Sequence, residues 1–285
     1  MNLDKAILEP FLLSALAEDI GDGDHTSLST IPKGQTGKAK LLIKDDGIIA
    51  GVDVSREIFK LVDPNLQIEI FIQDGESVKP GDIALYVSGS VHSILKAERL
   101  VLNIMQRMSG IASTTNRIVK ILKDTGTKVL DTRKTTPGLR YLEKMAVKIG
   151  GGVNHRFGLY DMILIKDNHV DYAGGISNAI KSAQAYLKAN KISIPVEVEV
   201  RNLDELKEVM NFGQIDRILL DNFNFSLLKE AVGLVNGSYI TEASGGITEQ
   251  NVLEYAKCGV DYVSMGALTH SVKSMDMSLK AVKSH

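Results

Sequence analysis

Between Asp131 and His169 the chain holds seven Lys/Arg against four Asp/Glu, in a protein of formal net charge −2. Where the cations stand matters more than how many there are. Arg133 and Lys134 come just after the apolar pair Val129-Leu130, Arg156 follows a triple glycine, and Lys166 ends the run Met162-Ile163-Leu164-Ile165. Positive groups at the ends of apolar strands, beside glycines, are what a fold uses to gather several anionic groups in one pocket. Guanidinium adds a planar fork that grips carboxylate or phosphate through two bonds, which makes Arg156 a candidate ligand. A substrate rich in carboxylate or phosphate is implied.

Acidic and glycine-rich segments complete the set. Val196-Glu197-Val198-Glu199-Val200 alternates strictly, so both glutamates share one face and the valines the other. Valines belong against outer helices, which turns Glu197 and Glu199 inward, where two carboxylates need cationic partners; Lys134 and Lys166 are the natural ones. Glu197, the deeper, reads as part of a buried ion network, and Glu199, nearer the mouth, as functional. Asp221 closes Ile218-Leu219-Leu220 and can hold Mg²⁺ or a sugar hydroxyl; Asn224 and Ser226 lie closer to the next helix as caps. Ala243-Ser244-Gly245-Gly246 and Ser264-Met265-Gly266-Ala267 end adjacent strands, and glycines there let backbone N–H groups approach a phosphate. His155 reads equally as a loop brace or a direct contact. His169 and His270 fall just beyond strand ends, and a histidine-based zinc site is not expected, since there is no H-x-x-x-H pair.

These residues need a scaffold that brings strand ends together. Strand candidates end near Asp131, Lys166, Glu199, Asp221, Glu242 and Ser264, with helical stretches at 178–189, 203–211, 226–235 and 249–257. Regular βα alternation without a dinucleotide glycine motif points to a parallel β/α barrel, whose active groups lie at the C-terminal strand ends. Before residue 90 the texture differs: short strands at 40–43, 47–50, 66–72 and 83–87 are separated by Asp46-Gly47, Asp74-Gly75 and Pro80-Gly81 turns. GESVKPGDIALY reads as a plain hairpin. Helical spacing from Ile94 to Leu122 predicts one long helix, or two broken at Ser109-Gly110.

Composition narrows the class. With 285 residues, 44% hydrophobic and 24% charged, the chain is long enough for one large domain or two ordinary ones. A net charge near zero argues against a nucleic-acid or membrane-surface protein. Cys258 is the single cysteine, which excludes a disulfide framework. Residues 1–20 carry Asp4, Glu9, Glu18 and Asp19 among apolar positions, the pattern of an amphipathic helix and not of a signal peptide. A cytoplasmic location is expected.

In order along the chain, LAEDIGDGDHTS, AERLVLNIMQRMSGIAS, DTRKTTPGLR, GGGVNHRFGLYDMILIKDNH, LLDNF, EASGGIT and GVDYVSMGALTHS resemble the quinolinate phosphoribosyltransferases, nearly end to end. The resemblance implies an α/β protein: an N-terminal α/β sandwich domain at 1–113, joined by a C-terminal helix at 271–285, and an incomplete parallel β/α barrel at 114–270, together the type II phosphoribosyltransferase fold. It implies transfer of phosphoribosyl from phosphoribosyl pyrophosphate to quinolinate with decarboxylation, with Mg²⁺, in a homodimer. Arg99, an ordinary solvated helix residue on spacing alone, matches the arginine this family donates across the interface. Thr132, Arg133, Lys134, His155, Arg156 and Lys166 match the substrate pocket, Glu199 and Asp221 the acidic pair near ribose and metal. Lys134, Lys166, Glu199 and Asp221 become the catalytic candidates. Ser244, Gly245, Gly246, Met265, Gly266 and Ala267 match the phosphate contacts. Two rivals are a related transferase of the same fold with another acceptor and an aldolase using Lys166 as a Schiff base. The DTRKTTPGLR and NHR segments argue for the dicarboxylate.

Overall fold

Residues 3–282 are described by the structure, a computed structural model. They form two compact units. The first runs to Asn116 and takes in Thr136–Gly151 and the chain from Ser271 on; the second comprises Arg117–Thr135 and Gly152–His270.

In the first unit, α1 (Lys5–Ile20) and α2 (His25–Thr30) lead to β1 (Thr36–Ile43), β2 (Gly47–Ile48), α3 (Val52–Val62), β3 (Gln67–Ile70), β4 (Ser77–Val78), β5 (Ile83–Ser90) and α4 (Val91–Leu122), whose residues from Arg117 on are counted in the second. Helix α1 buries Leu8, Leu12 and Leu16, one stripe at four-residue spacing, and Asp4 caps it by accepting from the Ala6 N–H at 3.1 Å. Leu41, Ile43, Leu85 and Val87 of the sheet are fully buried, as are Ile58 and Phe59 of α3.

Two expectations change here, and the choice between one long helix and two is decided for one. GESVKPGDIALY is not a hairpin: β4 pairs with β2, whereas β5 pairs with β1 and β3, all antiparallel. The Pro80-Gly81 turn passes the chain between sheets because Ile43 and Gly81–Asp82 exchange backbone hydrogen bonds of 2.9 Å. Helix α4 continues through Ser109-Gly110. The Ser109 hydroxyl bonds both the N–H and the carbonyl of Ala50, and a side chain at Gly110 would collide with the backbone of Lys273. Close approach, not a helix break, explains that glycine. The C-terminal segment is not a helix over its described part. Met277–Ala281 forms an edge strand, antiparallel to β1 with Leu41 opposite Leu279, because alternating burial of Met277 and Leu279 suits a strand. Residues 283–285 of the expected helix lie outside the described residues. The first unit also contains Arg140–Ile149 as a helix, inside the span expected for the barrel domain. Its Glu143, 1% exposed, accepts from Arg107 Nε at 2.8 Å and Nη2 at 2.6 Å.

The second unit begins with β6 (Lys128–Leu130); the helix just described is α5, and β7 (Ile163–Ile165), α6 (Asp167–Ala173), α7 (Ile176–Asn190), β8 (Val196–Val200), α8 (Leu203–Phe212), β9 (Arg217–Asp221), α9 (Phe225–Val235), β10 (Ile240–Ser244), α10 (Val252–Ala256), β11 (Tyr262–Ser264) and α11 (Ala267–His270) follow. The edge strand of the first unit is then β12 (Met277–Ala281). Six parallel strands stand in the order β6-β11-β10-β9-β8-β7. Every residue of β8 is buried, as expected of a parallel strand covered on both faces. The barrel is incomplete: among the described residues, a single parallel bridge from Leu130 to Val153 extends the sheet beyond β6. The six strands end where their apolar runs predicted. Among the described residues no helix is long and apolar enough to cross a membrane.

Candidate active site

Each C-terminal strand end carries the polar group that sequence placed there. Thr132, Arg133 and Lys134 follow β6, His155 and Arg156 follow Val153, Lys166 follows β7, and Ser244 and Ser264 end β10 and β11. With Leu164, Leu219 and Glu242 they line one cavity of about 330 Å³. The Thr132 hydroxyl accepts from the Lys134 N–H at 3.0 Å, shaping the turn after β6. Asp131, fully buried, anchors the facing loop, accepting from the Asn154 amide at 2.5 Å and the His155 N–H at 2.8 Å. Arg156 donates from Nη1 to the Met162 carbonyl at 3.1 Å. Burial and the nearby Arg133 guanidinium lower its pKa. Two guanidiniums that repel one another at a cavity wall form a site whose charge is completed by an anion.

The acidic pair stands on neighbouring strands. Lys166 Nζ donates to Glu199 Oε2 at 2.9 Å, and Glu199 is 7% exposed. The Lys166 backbone is itself held, its N–H donating to His169 Nδ1 at 3.0 Å. Asp221 accepts from the Asn222 amide at 2.6 Å, and its pKa is raised by burial and then by the charge of Glu199. Asn224, not Asp221, caps α9, accepting from the Leu227 N–H at 3.0 Å.

Glu197 departs from expectation. Lys134 is exposed, and the cations at Glu197 are His155, whose Nε2 lies 3.0 Å from Oε2, and Arg217, whose Nε lies 3.9 Å from Oε1. The reason is register: Arg217 begins β9 directly beside Glu197. Glu242 joins them, with Arg217 Nη1 at 3.1 Å and His155 Nε2 at 3.5 Å. Burial disfavours charge on His155, but hydrogen bonds to Glu197 and Glu242 outweigh it and raise its pKa to about 9. Burial also raises the pKa of Glu197, whereas His155, Ser264 and Arg217 together hold that of Glu242 low against its own burial. The donor atoms of His155, Glu197 and Glu242 lie within 4.8 Å of one another. Since Arg217 already serves this cluster as its cation, a metal ion would have to displace a guanidinium.

The two glycine loops follow adjacent strands, β10 and β11, whose last serines line the cavity. Gly245 and Gly246 both take positive φ, +96° and +62°, and a Cβ at Gly245 would meet Asn222 Cγ at 2.6 Å. A Cβ at Gly266 would touch the Lys134 and His270 side chains, each at 3.0 Å. The Met265 N–H donates to the Leu130 carbonyl at 3.0 Å; Gly266 and Ala267 open α11, where N–H groups have no carbonyl one turn back. Arg99 lies exposed on α4 in the first unit.

Sequence reasoning missed Asp131 as an anchor and both Arg217 and Glu242 as partners of His155. Arg217 stands at the start of its strand, so only sheet register reveals it. Glu242, the middle residue of β10, could have been found as an acid at an inward position, as Glu197 was.

Models of the quinolinate phosphoribosyl transferase N-terminal and C-terminal domains match residues 24–109 and 111–280. The chain is 42% identical over 281 residues to the probable nicotinate-nucleotide pyrophosphorylase (carboxylating) of Bacillus subtilis, covering 99% of this chain and 94% of that one. It is 46% identical over 288 residues to quinolinate phosphoribosyltransferase (decarboxylating) 2b, mitochondrial, of Nicotiana tabacum, covering 96% and 82%. The crystal structure of NadC from Streptococcus pyogenes superposes with a TM-score of 0.93 at 38% identity, covering 99% of this chain and 100% of that one.

Proposed function

The chain belongs to the quinolinate phosphoribosyltransferase family, and from that premise we propose that it makes nicotinate mononucleotide, pyrophosphate and CO₂ from quinolinate and phosphoribosyl pyrophosphate. The observation that carries this reading is the single cavity walled by Arg133, Lys134, His155, Arg156 and Lys166. Quinolinate brings two adjacent ring carboxylates, and the second substrate a monophosphate and a diphosphate. Gathering them without prohibitive repulsion needs several cations.

Arg133, Arg156, Lys134 and His155 hold the acceptor carboxylates, with Thr132 shaping their turn. Ser244, Gly245, Gly246, Met265, Gly266 and Ala267 line the phosphate end, Gly266 and Ala267 with unbonded N–H groups. Pyrophosphate leaves C1 of the ribose as oxocarbenium character develops, and the quinolinate ring nitrogen attacks. Glu199 and Asp221 hold the ribose hydroxyls and stabilise the cationic sugar. The new pyridinium nitrogen accepts the electron pair released as the 2-carboxylate departs. Lys134 or Lys166 then returns a proton to the ring carbon.

Glu199 and Asp221 suit a hard divalent cation: two carboxylates on adjacent strand ends, one with its pKa raised by burial and then by the other's charge. Mg²⁺ bound through them and the substrate would offset charge growing on pyrophosphate. A homodimer in which Arg99 reaches the partner's acceptor completes the reading, supported by the exposure of that arginine. The free, buried Cys258 fits a reducing compartment such as the cytoplasm.

The test is to incubate the protein with phosphoribosyl pyrophosphate, Mg²⁺ and either quinolinate or nicotinate. Nucleotide formation with quinolinate supports the reading. Turnover with nicotinate alone would favour the related transferase with another acceptor.

A further inference from the structure

Strands β6 and β11 pair in parallel, and the loops after them carry different halves of the proposed site. Arg133 and Lys134 follow β6 on the acceptor side; Gly266 and Ala267 follow β11 on the phosphate side. Backbone pairing carries the two strands as far as the Met265 N–H, which donates to the Leu130 carbonyl at 3.0 Å. Past that point a side chain makes the tie. Thr269 of α11, fully buried, donates from its hydroxyl to the Lys134 carbonyl at 2.9 Å.

The same hydroxyl lies 3.2 Å from the Gly266 carbonyl. That carbonyl, however, already accepts the Thr269 N–H at 3.1 Å and the His270 N–H at 3.0 Å. With both its lone pairs engaged, it leaves the single hydroxyl proton to Lys134. The turn that receives this bond is short. Thr132 Oγ1 accepts the Lys134 N–H at 3.0 Å, and the Arg133 carbonyl accepts the Thr135 N–H at 2.9 Å. Those two bonds shape the turn without placing it; the Thr269 hydroxyl fastens it to α11. The Lys134 stem lies over Gly266, where a Cβ would come within 3.0 Å of Lys134 Cδ. One buried hydroxyl thus governs the separation between the acceptor cations and the phosphate loop.

That separation matters for a transfer between two substrates. Ring nitrogen and ribose C1 react only when brought together in line. An error of about 1 Å between loops that each hold one substrate costs rate, while either substrate alone still binds. We infer that Thr269 is a positioning residue: its hydroxyl sets the acceptor turn against the phosphate loop and so aligns the two bound substrates. This rests on the function proposed above and adds to it how the two halves of the site are registered.

Thr269→Val removes the hydroxyl at nearly constant volume, and Thr269→Ser keeps it while losing a methyl group. Quinolinate and phosphoribosyl pyrophosphate, each titrated alone by calorimetry, should bind Thr269→Val within about threefold of the wild type. With both substrates present, its kcat should fall roughly 10- to 100-fold, and that of Thr269→Ser should stay within about threefold of the wild type. Wild-type kcat in Thr269→Val, or binding of either substrate alone weakened as much as kcat, overturns the inference. So does a roughly tenfold loss of kcat in Thr269→Ser, which decides the matter should the valine variant not fold. Amide exchange at Thr135 gives a reading independent of turnover. It should quicken roughly 3- to 10-fold in Thr269→Val, for the loss of one neutral hydrogen bond, and hold in Thr269→Ser; unchanged exchange in Thr269→Val overturns the inference. Failure of the wild type to turn over quinolinate counts against the proposed function, and the exchange rates still judge the hold of Thr269 on the turn.

Discussion

Replacing Arg156 with alanine separates acceptor recognition from folding. Two effects act on the substrate-free protein with opposite sign. The bond from Nη1 to the Met162 carbonyl, 3.1 Å long, is lost, at a cost of about 1 kcal/mol. At the same time a half-buried cation that repels Arg133 is removed. Substrate-free stability should therefore move little. Acceptor binding should fall by roughly 2–4 kcal/mol of charge-assisted pairing. At about 1.4 kcal/mol per tenfold, this is a ~30- to 700-fold rise in the dissociation constant or KM for quinolinate. Thermal unfolding gives a second reading. Quinolinate at ~100 times its wild-type dissociation constant should stabilise the wild type by about 2.7 kcal/mol and the variant by at most about 0.9 kcal/mol. KM for phosphoribosyl pyrophosphate should hardly change. A variant with wild-type quinolinate affinity, or one that loses both substrates in parallel, refutes the assignment of Arg156 to the acceptor carboxylates.

Three further perturbations test the scaffold and the acidic pair. Arg107→Met strands Glu143, 1% exposed, and should lower stability by about 3–5 kcal/mol in denaturant titrations; a loss under ~1 kcal/mol would mean the pair is dispensable. Gly110→Ala should reverse the usual sign. Mid-helix alanine normally stabilises by about 1 kcal/mol, but here the new methyl meets the Lys273 backbone and Val272 Cγ1 at 3.0 Å, so destabilisation of about 1–3 kcal/mol is expected. For Asp221 the pKa is raised in the fold, so the native state loses stability as pH climbs from the unfolded carboxylate value to the folded one, and the penalty is complete above it. Asp221→Asn should thus melt above the wild type at neutral pH without ligand, and the gap should close as pH drops through the carboxylate range. Its activity should drop by at least ~100-fold, as for loss of an electrostatic anchor. An equal melting temperature at neutral pH would remove the claim of strain.

Much of the second unit was legible because its signals are local. Each apolar run ends in a polar residue, and parallel strands covered on both faces leave little doubt about where the chain stops being β. Strict alternation in β8 fixed the inward face of Glu197 and Glu199, and Lys166 meets Glu199 as charge balance requires. What stayed hidden depends on neighbours in space. Arg217 carries no local signal of its role, and only sheet register sets it beside Glu197. Helix α5 lies in sequence between two barrel strands yet belongs to the first unit, bound there through Glu143 and Arg107. The C-terminal strand is short and carries lysine, and only pairing with β1 distinguishes it from a helix end. Arg99 illustrates the limit most plainly: it lies exposed on α4, and its role at a partner's acceptor site is proposed from the family resemblance alone.

The central claim is that the strand-end cations hold a dicarboxylate whose ring loses one particular carboxyl group as the glycosidic bond is made. Quinolinate carrying carbon-13 in either the 2- or the 3-carboxylate tests it directly by mass analysis of the products. The account predicts that label at the 2-position leaves wholly as CO₂, in equal amount to nucleotide formed, while label at the 3-position stays wholly in the nucleotide. Nucleotide retaining both carboxylates, or CO₂ released without phosphoribosyl pyrophosphate, would contradict it.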